Sequence, residues 1–219
     1  MREFTGKGVY GAVAVGEIEV FKRQEVSVRR VHVTDTAGEK ERVLAAKETS
    51  MQQLQEIWEK AVKEVGEANA QIFEIHKMLL DDEDYNDSIM SIIDTQQVNA
   101  EYAVALTSDH FAEMFASMED AYMQARSADI RDISNRLIAN LGSSENTASG
   151  SGSKKIICAD DLAPSETVSL DKDSVLAFVT AHGSSNSHTA ILARNMNIPA
   201  VIGVGDDFLQ QIKDGATAI

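Results

Sequence analysis

The sequence predicts an α/β domain interrupted by an all-α bundle, on three observations. Residues 36–141 contain no proline and only two glycines, Gly38 and Gly66, and are dense in Ala, Leu, Glu, Gln and Met, which favour helix. The flanking stretches, 1–33 and 154–219, break into short apolar runs between turn residues. Between bundle and second flank, residues 142–153 read Gly-Ser-Ser-Glu-Asn-Thr-Ala-Ser-Gly-Ser-Gly-Ser, a linker by composition. The simplest organisation is one discontinuous α/β domain, residues 1–33 and 145–219, with a helical domain, residues 34–144, inserted in it. A beads-on-a-string order would leave residues 1–33 as a sheet fragment with exposed edges.

The first flank alternates, with Val9, Gly11, Val13 and Val15 and then Ile18 and Val20, as short strands with glycine turns do. Leu44, Lys47, Met51, Leu54, Trp58, Ala61 and Val65 step by three and four and, Lys47 apart, predict an apolar helix seam. Ile72, Phe73, His76, Leu79 and Leu80 continue the pattern in a second helix. The run Asp81-Asp82-Glu83-Asp84 ends that helix and starts another, since carboxylates cap free N–H groups and suit the dipole. Further helices are predicted from about Asn99 to Met118 and from about Asp120 to Leu141. Gly142 stands at the stop of the last one. Antiparallel helices joined by short turns follow.

The chain has 219 residues, 43% hydrophobic and 25% charged, with a formal net charge of −15. That composition is globular, and the charge argues against nucleic acid and anionic membrane as partners. No apolar run approaches the roughly 18 residues of a membrane span, and Met1 to Gly6 carries no signal-peptide stretch. A cytoplasmic protein is expected. The lone cysteine, Cys158, lies beside Ile156 and Ile157 and reads as a buried small residue. His32, His110 and His182 lack partners at metal-ligand spacing and read as incidental.

One segment stands apart. A strand at Leu176 to Val179 runs through small residues into a helix capped by Asn186 or Ser187, which ends before Ile198-Pro199. His188 therefore falls on the first helical turn. There the free N–H groups and the dipole stabilise an anion and disfavour imidazolium, so the ring stays a neutral nucleophile. Position alone also fits a surface capping histidine.

The surrounding residues decide between the two. Gly183-Ser-Ser-Asn-Ser-His188-Thr-Ala-Ile-Leu-Ala-Arg194, followed by Ile198-Pro-Ala-Val-Ile-Gly203, resembles the phosphohistidine segment of phosphoenolpyruvate-utilising enzymes. The family pattern is Gly-Gly-x-Thr-Ser-His-(Thr/Ser/Ala). Here Ser184 replaces the second glycine, Ser185 stands at x and Asn186 replaces the threonine. Ile72 to Asp82, Arg126 to Arg136, Gly6 to Val9 and Asp161 to Thr167 resemble enzyme I of the bacterial sugar phosphotransferase system. The resemblance covers nearly the whole chain in order.

It implies that the α/β part is a swivelling phosphohistidine domain and the helical insert a domain that binds the histidine phosphocarrier protein HPr. His188 carries the phosphoryl group from phosphoenolpyruvate to HPr. Thr167 orients the ring, or caps the helix near Pro164 and Ser165. Arg194 neutralises the phosphoryl group. Phosphoenolpyruvate and Mg2+ belong to a C-terminal barrel that nothing here resembles, so a fragment without a cofactor or metal of its own is expected, monomeric because the family dimerises through that barrel. The acidic insert suits the carrier's basic rim, with Glu67, Asp82, Glu83 and Asp84 near helix ends and Met78 and Leu79 as an apolar centre, or as bundle core. Arg126 fits the partner surface. Arg126 and Arg131 either approach the phosphoryl group or pair with Asp129 or Asp132. His76 meets the partner or is a satisfied histidine of the bundle. The alternatives are a swivelling-domain fragment of another enzyme of the family, such as a pyruvate phosphate dikinase, or a non-catalytic docking module.

Overall fold

The computed structural model describes residues 2–21, 28–142, 154–170, 174–183 and 187–219, the side chains of Val65, Val168, Ser169 and His188 excepted. The expected linker, apart from Gly142, and the segment 184–186 lie outside them. Contacts divide the chain into two compact units. One is Met1–Gln24, Lys60–Asn69 and Thr147–Ile219, and the other Glu25–Glu59 and Ala70–Asn146.

The first unit is built on a six-stranded mixed sheet. Its strands are β1 Lys7–Tyr10, β2 Gly16–Val20, β3 Lys155–Ala159, β4 Val175–Thr180, β5 Ala200–Ile202 and β6 Thr217–Ala218. They lie in the order β1-β5-β4-β3-β2-β6. The four central strands run parallel, whereas β1 and β6 pair antiparallel at the two edges. Strands covered on both faces read as continuous apolar runs, as Ile156-Ile157-Cys158-Ala159 does. On one face Ile18, Ile156, Cys158, Ala177 and Phe208 form a core against which Phe4 packs, its ring edge-on to Phe208 at 5.0 Å. Cys158 is buried as expected, and desolvation pushes its thiol up to about 12.

Five helices lie between the β-strand stretches, α1 Thr36–Val65, α2 Glu67–Asp81, α3 Glu83–Gln96, α4 Ala100–Ala116 and α5 Ala121–Leu141, with the α1–α2 junction, Lys60–Asn69, in the first unit. Three short helices belong to the α/β part: α6 Pro164–Ser169, α7 His188–Met196 and α8 Phe208–Gln211. Gly66 separates α1 from α2 at φ +83°, where a residue with a Cβ is strained. The acidic run then works as the sequence predicts: α2 ends at Asp81, and the Asp82 carboxylate accepts the Tyr85 N–H at 2.9 Å to open α3. Asp120 does the same for α5, accepting the N–H groups of Tyr122 and Met123 at 2.8 and 3.0 Å. Gly142 ends α5 in an extended conformation instead of the left-handed one expected of a stop glycine.

The buried face of α1 keeps Leu54 and Ala61 of the predicted seam and departs from it elsewhere. Leu44 is 55% exposed, and the core takes Val43, Ala46, Ser50, Leu54 and Ala61. Small residues let neighbouring helices approach, and the Ser50 hydroxyl is satisfied by donating to the Ala46 carbonyl at 2.7 Å. Within the helical unit, Lys47 pairs with Asp81 at 2.8 Å and Lys77 donates to Gln55 at 2.8 Å, which sets α1 and α2 antiparallel. Residues 31–33 run beside the α3–α4 connection: Val33 N–H donates to Gln97 O at 2.9 Å and Asn99 N–H to Val31 O at 3.1 Å. No helix among the described residues is long and apolar enough to cross a membrane.

Candidate functional site

His188 is the first residue of α7. The helix starts there because Ser187, in extended conformation, caps it. The Ser187 hydroxyl accepts the Ala190 N–H at 3.3 Å, and its carbonyl accepts the Ile191 N–H at 3.0 Å. Those two bonds leave the N–H groups of His188 and Thr189 with no partner inside the helix, at the positive end of its dipole. Asn197, in the left-handed region, closes α7 ahead of Pro199.

Three features set the direction in which the chain enters α7. Gly183, at φ +108°, turns it out of β4, and a Cβ there would stand 3.6 Å from oxygens of Asp161, Ser187 and Thr180. The Thr189 hydroxyl, fully buried, reaches the Leu162 carbonyl at 3.4 Å. Ala190 and Ala193 face the interior, and α7 packs on α6 and on β1 and β5.

Thr167 lies on α6 and is 2% exposed. Its hydroxyl donates to the carbonyls of Pro164 at 2.8 Å and Ala163 at 3.2 Å. It is not the cap of α6; Glu166 reaches back instead, accepting the Ala163 N–H at 2.7 Å. Donation uses the one hydroxyl hydrogen and leaves lone pairs on the oxygen. Arg194 is exposed in the last turn of α7, where a cation suits the dipole. It lies six positions after His188, about 9 Å along the axis and on another face.

His182 was read from sequence as incidental, and the structure corrects this. Its ring lies between two carboxylates, Nδ1 2.9 Å from Asp160 and Nε2 2.5 Å from Asp206. The imidazole pKa is raised, first by the hydrogen bond to Asp206 and then by that to Asp160.

In the helical unit, Met78 is 71% exposed, Leu79 half-buried and Leu80 fully buried. Asp82, Glu83 and Asp84 are exposed, whereas Glu67, which opens α2, falls in the first unit with Lys60–Asn69. Asp82 is also the cap of α3, so it is not a free charge on that surface. Arg126 is 8% exposed, donates to Asp129 at 2.7 Å and lies 4.3 Å above the Tyr122 ring. His76 is fully buried, with Nε2 3.2 Å from Asp129; its Nδ1 makes no hydrogen bond among the described residues and stands 3.7 Å from Asp132, so this is a core histidine satisfied at one ring nitrogen and not at both. Arg131 pairs with Asp109 at 2.9 Å. Burial alone would raise the pKa of Asp129, but the hydrogen bonds and charges of His76 and Arg126 outweigh it and hold the carboxyl below its ordinary range.

Comparison with known proteins sets these features in a family. Residues 5–126 match the N-terminal region of PEP-utilising enzymes, and residues 152–219 their mobile domain. The phosphoenolpyruvate-protein phosphotransferase of Lactococcus lactis subsp. lactis (strain IL1403) is 40% identical over 203 residues, 92% of this chain and 35% of that protein. The protein of the same name from Bacillus subtilis (strain 168) is 36% identical over 204 residues, 93% of this chain and 36% of that one. The chain thus spans about a third of the length of these relatives. An NMR solution structure of an Enzyme I protein (nEIt) superposes with a TM-score of 0.77 at 32% identity, covering 98% of this chain and 88% of the other. The N-terminal domain of Enzyme 1 - Nitrogen shares the fold at a TM-score of 0.66, covering 99% of this chain and 93% of that one, at 24% identity. A helical domain and an α/β domain, carried in the order of that N-terminal region and mobile domain, make this chain a member of the PEP-utilising enzyme family, of the Enzyme I type.

Proposed function

We propose that this chain is the phosphohistidine-carrying part of a phosphoenolpyruvate-protein phosphotransferase, with His188 as the residue that takes and passes on the phosphoryl group. The observation that carries this reading is the placement of His188 at the capped start of α7, beside two N–H groups that have no partner inside the helix. In exchange with phosphorylated HPr, a lone pair of the His188 ring attacks phosphorus. The new P–N bond forms as the P–N bond to the carrier's histidine breaks, and that electron pair returns to the carrier's ring. In-line positioning and charge stabilisation suffice for such a step. Loading from phosphoenolpyruvate, with Mg2+, we assign to the C-terminal barrel of a longer protein. Among the described residues no group of three His, Cys, Asp or Glu side chains is placed to hold a metal, and no step above passes through one. We place the protein in the cytoplasm and take this chain as a monomer.

Thr167 fits an orienting role. With its hydrogen committed to α6, its oxygen keeps lone pairs for an imidazole N–H. A ring nitrogen that donates to Thr167 keeps the proton, and the opposite one keeps the lone pair that attacks. Thr167→Val should slow exchange with phosphorylated HPr about tenfold, the worth of one buried hydrogen bond, and leave HPr binding unchanged. Equal rates for the two proteins in a quench-flow assay would remove Thr167 from the site. Arg194 has a lesser part, as a charge acting along the helix.

HPr docks, in this reading, on the helical domain, through Met78 and Leu79 as apolar contacts and Asp82, Glu83 and Arg126 as charged ones; Glu67, also expected at the partner surface, falls in the other compact unit. Met78→Ala should weaken HPr binding at least about tenfold, as truncation of an interface anchor does. Asp82→Lys would also uncap α3, so Glu83→Lys is the cleaner charge test. It should lower the association rate and its dependence on salt. Calorimetric titrations that leave affinity untouched in both variants would move the docking surface elsewhere. Mass spectrometry after mixing with phosphorylated HPr separates this reading from that of a docking module, which gains no phosphate mass.

A further inference from the structure

We propose that His182 is a positioning residue for His188: its ring, held between Asp160 and Asp206, ties together the ends of three neighbouring strands where the chain leaves the sheet for α7. The inference rests on His188 being the phosphate carrier.

The three residues come from three places in the sequence and meet through the parallel register. Asp160 directly follows β3, His182 follows β4 by two residues, and Asp206 follows β5 through Gly203-Val204-Gly205. The strands β3, β4 and β5 are neighbours, with β4 in the middle. Backbone bonds already carry the register past the strand ends. His182 N–H donates to Asp160 O at 2.8 Å, Val204 N–H to Thr180 O at 3.2 Å and Gly205 N–H to Ala181 O at 3.0 Å. The Thr180 hydroxyl donates to His182 O at 2.6 Å. The ring adds the last rung, Nδ1 to Asp160 and Nε2 to Asp206. Gly183, the next residue, makes the turn at φ +108° toward the Ser187 cap.

The chemistry of the rung is specific. Carboxylates only accept, so both ring nitrogens must carry hydrogen, which only imidazolium provides. A neutral ring donates to one carboxylate and turns a lone pair to the other. The charged groups facing the ring are Asp160 and Asp206; the Asp161 carboxylate turns instead to the Leu162 N–H at 2.9 Å. The side chains of His182, Asp160 and Asp206 are 53, 70 and 85% exposed. Exposed pairs of this kind add little to global stability. Their effect is local, on the direction in which the chain enters α7.

Both carboxylates raise the pKa of the ring in the folded protein. A raised folded value means the rung is complete below the ordinary imidazole value, about 6.5, and is lost as pH rises through the higher folded value. Transfer through His188 should then weaken on the alkaline side.

The test uses the full chain with phosphorylated HPr as donor. The His182 ring protons are titrated by NMR in the wild type and in Asp206→Asn, and initial rates of phosphate uptake are followed from about pH 6 to 9 for the wild type and His182→Ala. Asp206→Asn should lower the His182 pKa by roughly half to one unit. The wild type should exceed His182→Ala about threefold to tenfold at the acidic end, and the two should converge above the titration. A ratio that does not change with pH, or an unshifted His182 in Asp206→Asn, would overturn the proposal. His188→Ala run alongside distinguishes the two readings. Phosphate uptake by that variant would sink the carrier assignment, while the NMR titration would still report on the rung.

Discussion

His188→Ala should give a folded protein that gains no phosphate from phosphorylated HPr. The rate should fall by at least about 10⁴-fold, the scale seen when a nucleophile is removed. The step needs a nitrogen lone pair at the start of α7, and alanine has none. The fold should tolerate the change. The first turn is held by Ser187, whose bonds to Ala190 and Ile191 do not involve the side chain at 188, and alanine is the best helix former. The melting temperature should stay close to that of the wild type. Ser187→Ala is the informative contrast. It keeps the nucleophile but removes the cap, costing about 1 kcal/mol in α7, so it should slow transfer without abolishing it. Intact-mass measurement after mixing with the phosphorylated carrier, with a thermal melt on the same sample, checks all three proteins. A phosphorylated His188→Ala variant with wild-type kinetics would place the carrier residue elsewhere.

The sequence made some of this legible, and the reasons differ by element. The helical insert was visible because 106 consecutive positions (36–141) hold no proline and two glycines, a backbone effect that needs no tertiary context. The turn at Asp81 to Asp84 was visible because capping is local chemistry. The buried face of α1 was not, because two sets of positions satisfy the helical step equally. Residue size favours Leu44 and Met51, whereas close helix packing selects Val43, Ala46 and Ser50. The helix opened by the acidic run was expected, but its stop was not read from sequence. It ends at Gln97 in the left-handed region, beside an isolated bridge between His32 and Val98 that no local pattern announces. His188 stood out because strand, small residues and helix cap adjoin in sequence. The bridge from Asp160 through His182 to Asp206 could not stand out. Its members are 22 and 24 residues apart, and only the strand order brings them together. The pairing of Arg131 with Asp109 is likewise a matter of which helices are neighbours, α4 and α5, and not of spacing along one helix.

Asp129→Ala should be the most destabilising single change in the helical unit outside its apolar core. Asp129 is 4% exposed and serves two buried partners at once, His76 at 3.2 Å and Arg126 at 2.7 Å. Truncation leaves the Arg126 cation, itself 8% exposed, without its carboxylate in a site shaped for a pair. Removing one member of a buried pair costs about 3–5 kcal/mol, more than the pair itself contributes. The cation's stacking on Tyr122, at 4.3 Å, recovers a fraction, on the order of 1 kcal/mol. Acid should erase the difference between the two proteins. The folded Asp129 carboxyl titrates below its ordinary value, about 3.9. Its contribution is therefore fully present above that value and is lost as pH falls through the folded one. Thermal melts at pH 7 should separate wild type from variant by many degrees, and the gap should narrow steadily below pH ~4. Asp129→Asn keeps an acceptor without the charge and should fall between them at pH 7. Because Arg126 belongs to the proposed HPr surface, Asp129→Asn should also weaken HPr binding while leaving His188 able to hold phosphate. A gap of equal size at pH 7 and in acid would mean that Asp129 acts through packing, and that its charge does not hold Arg126 in place.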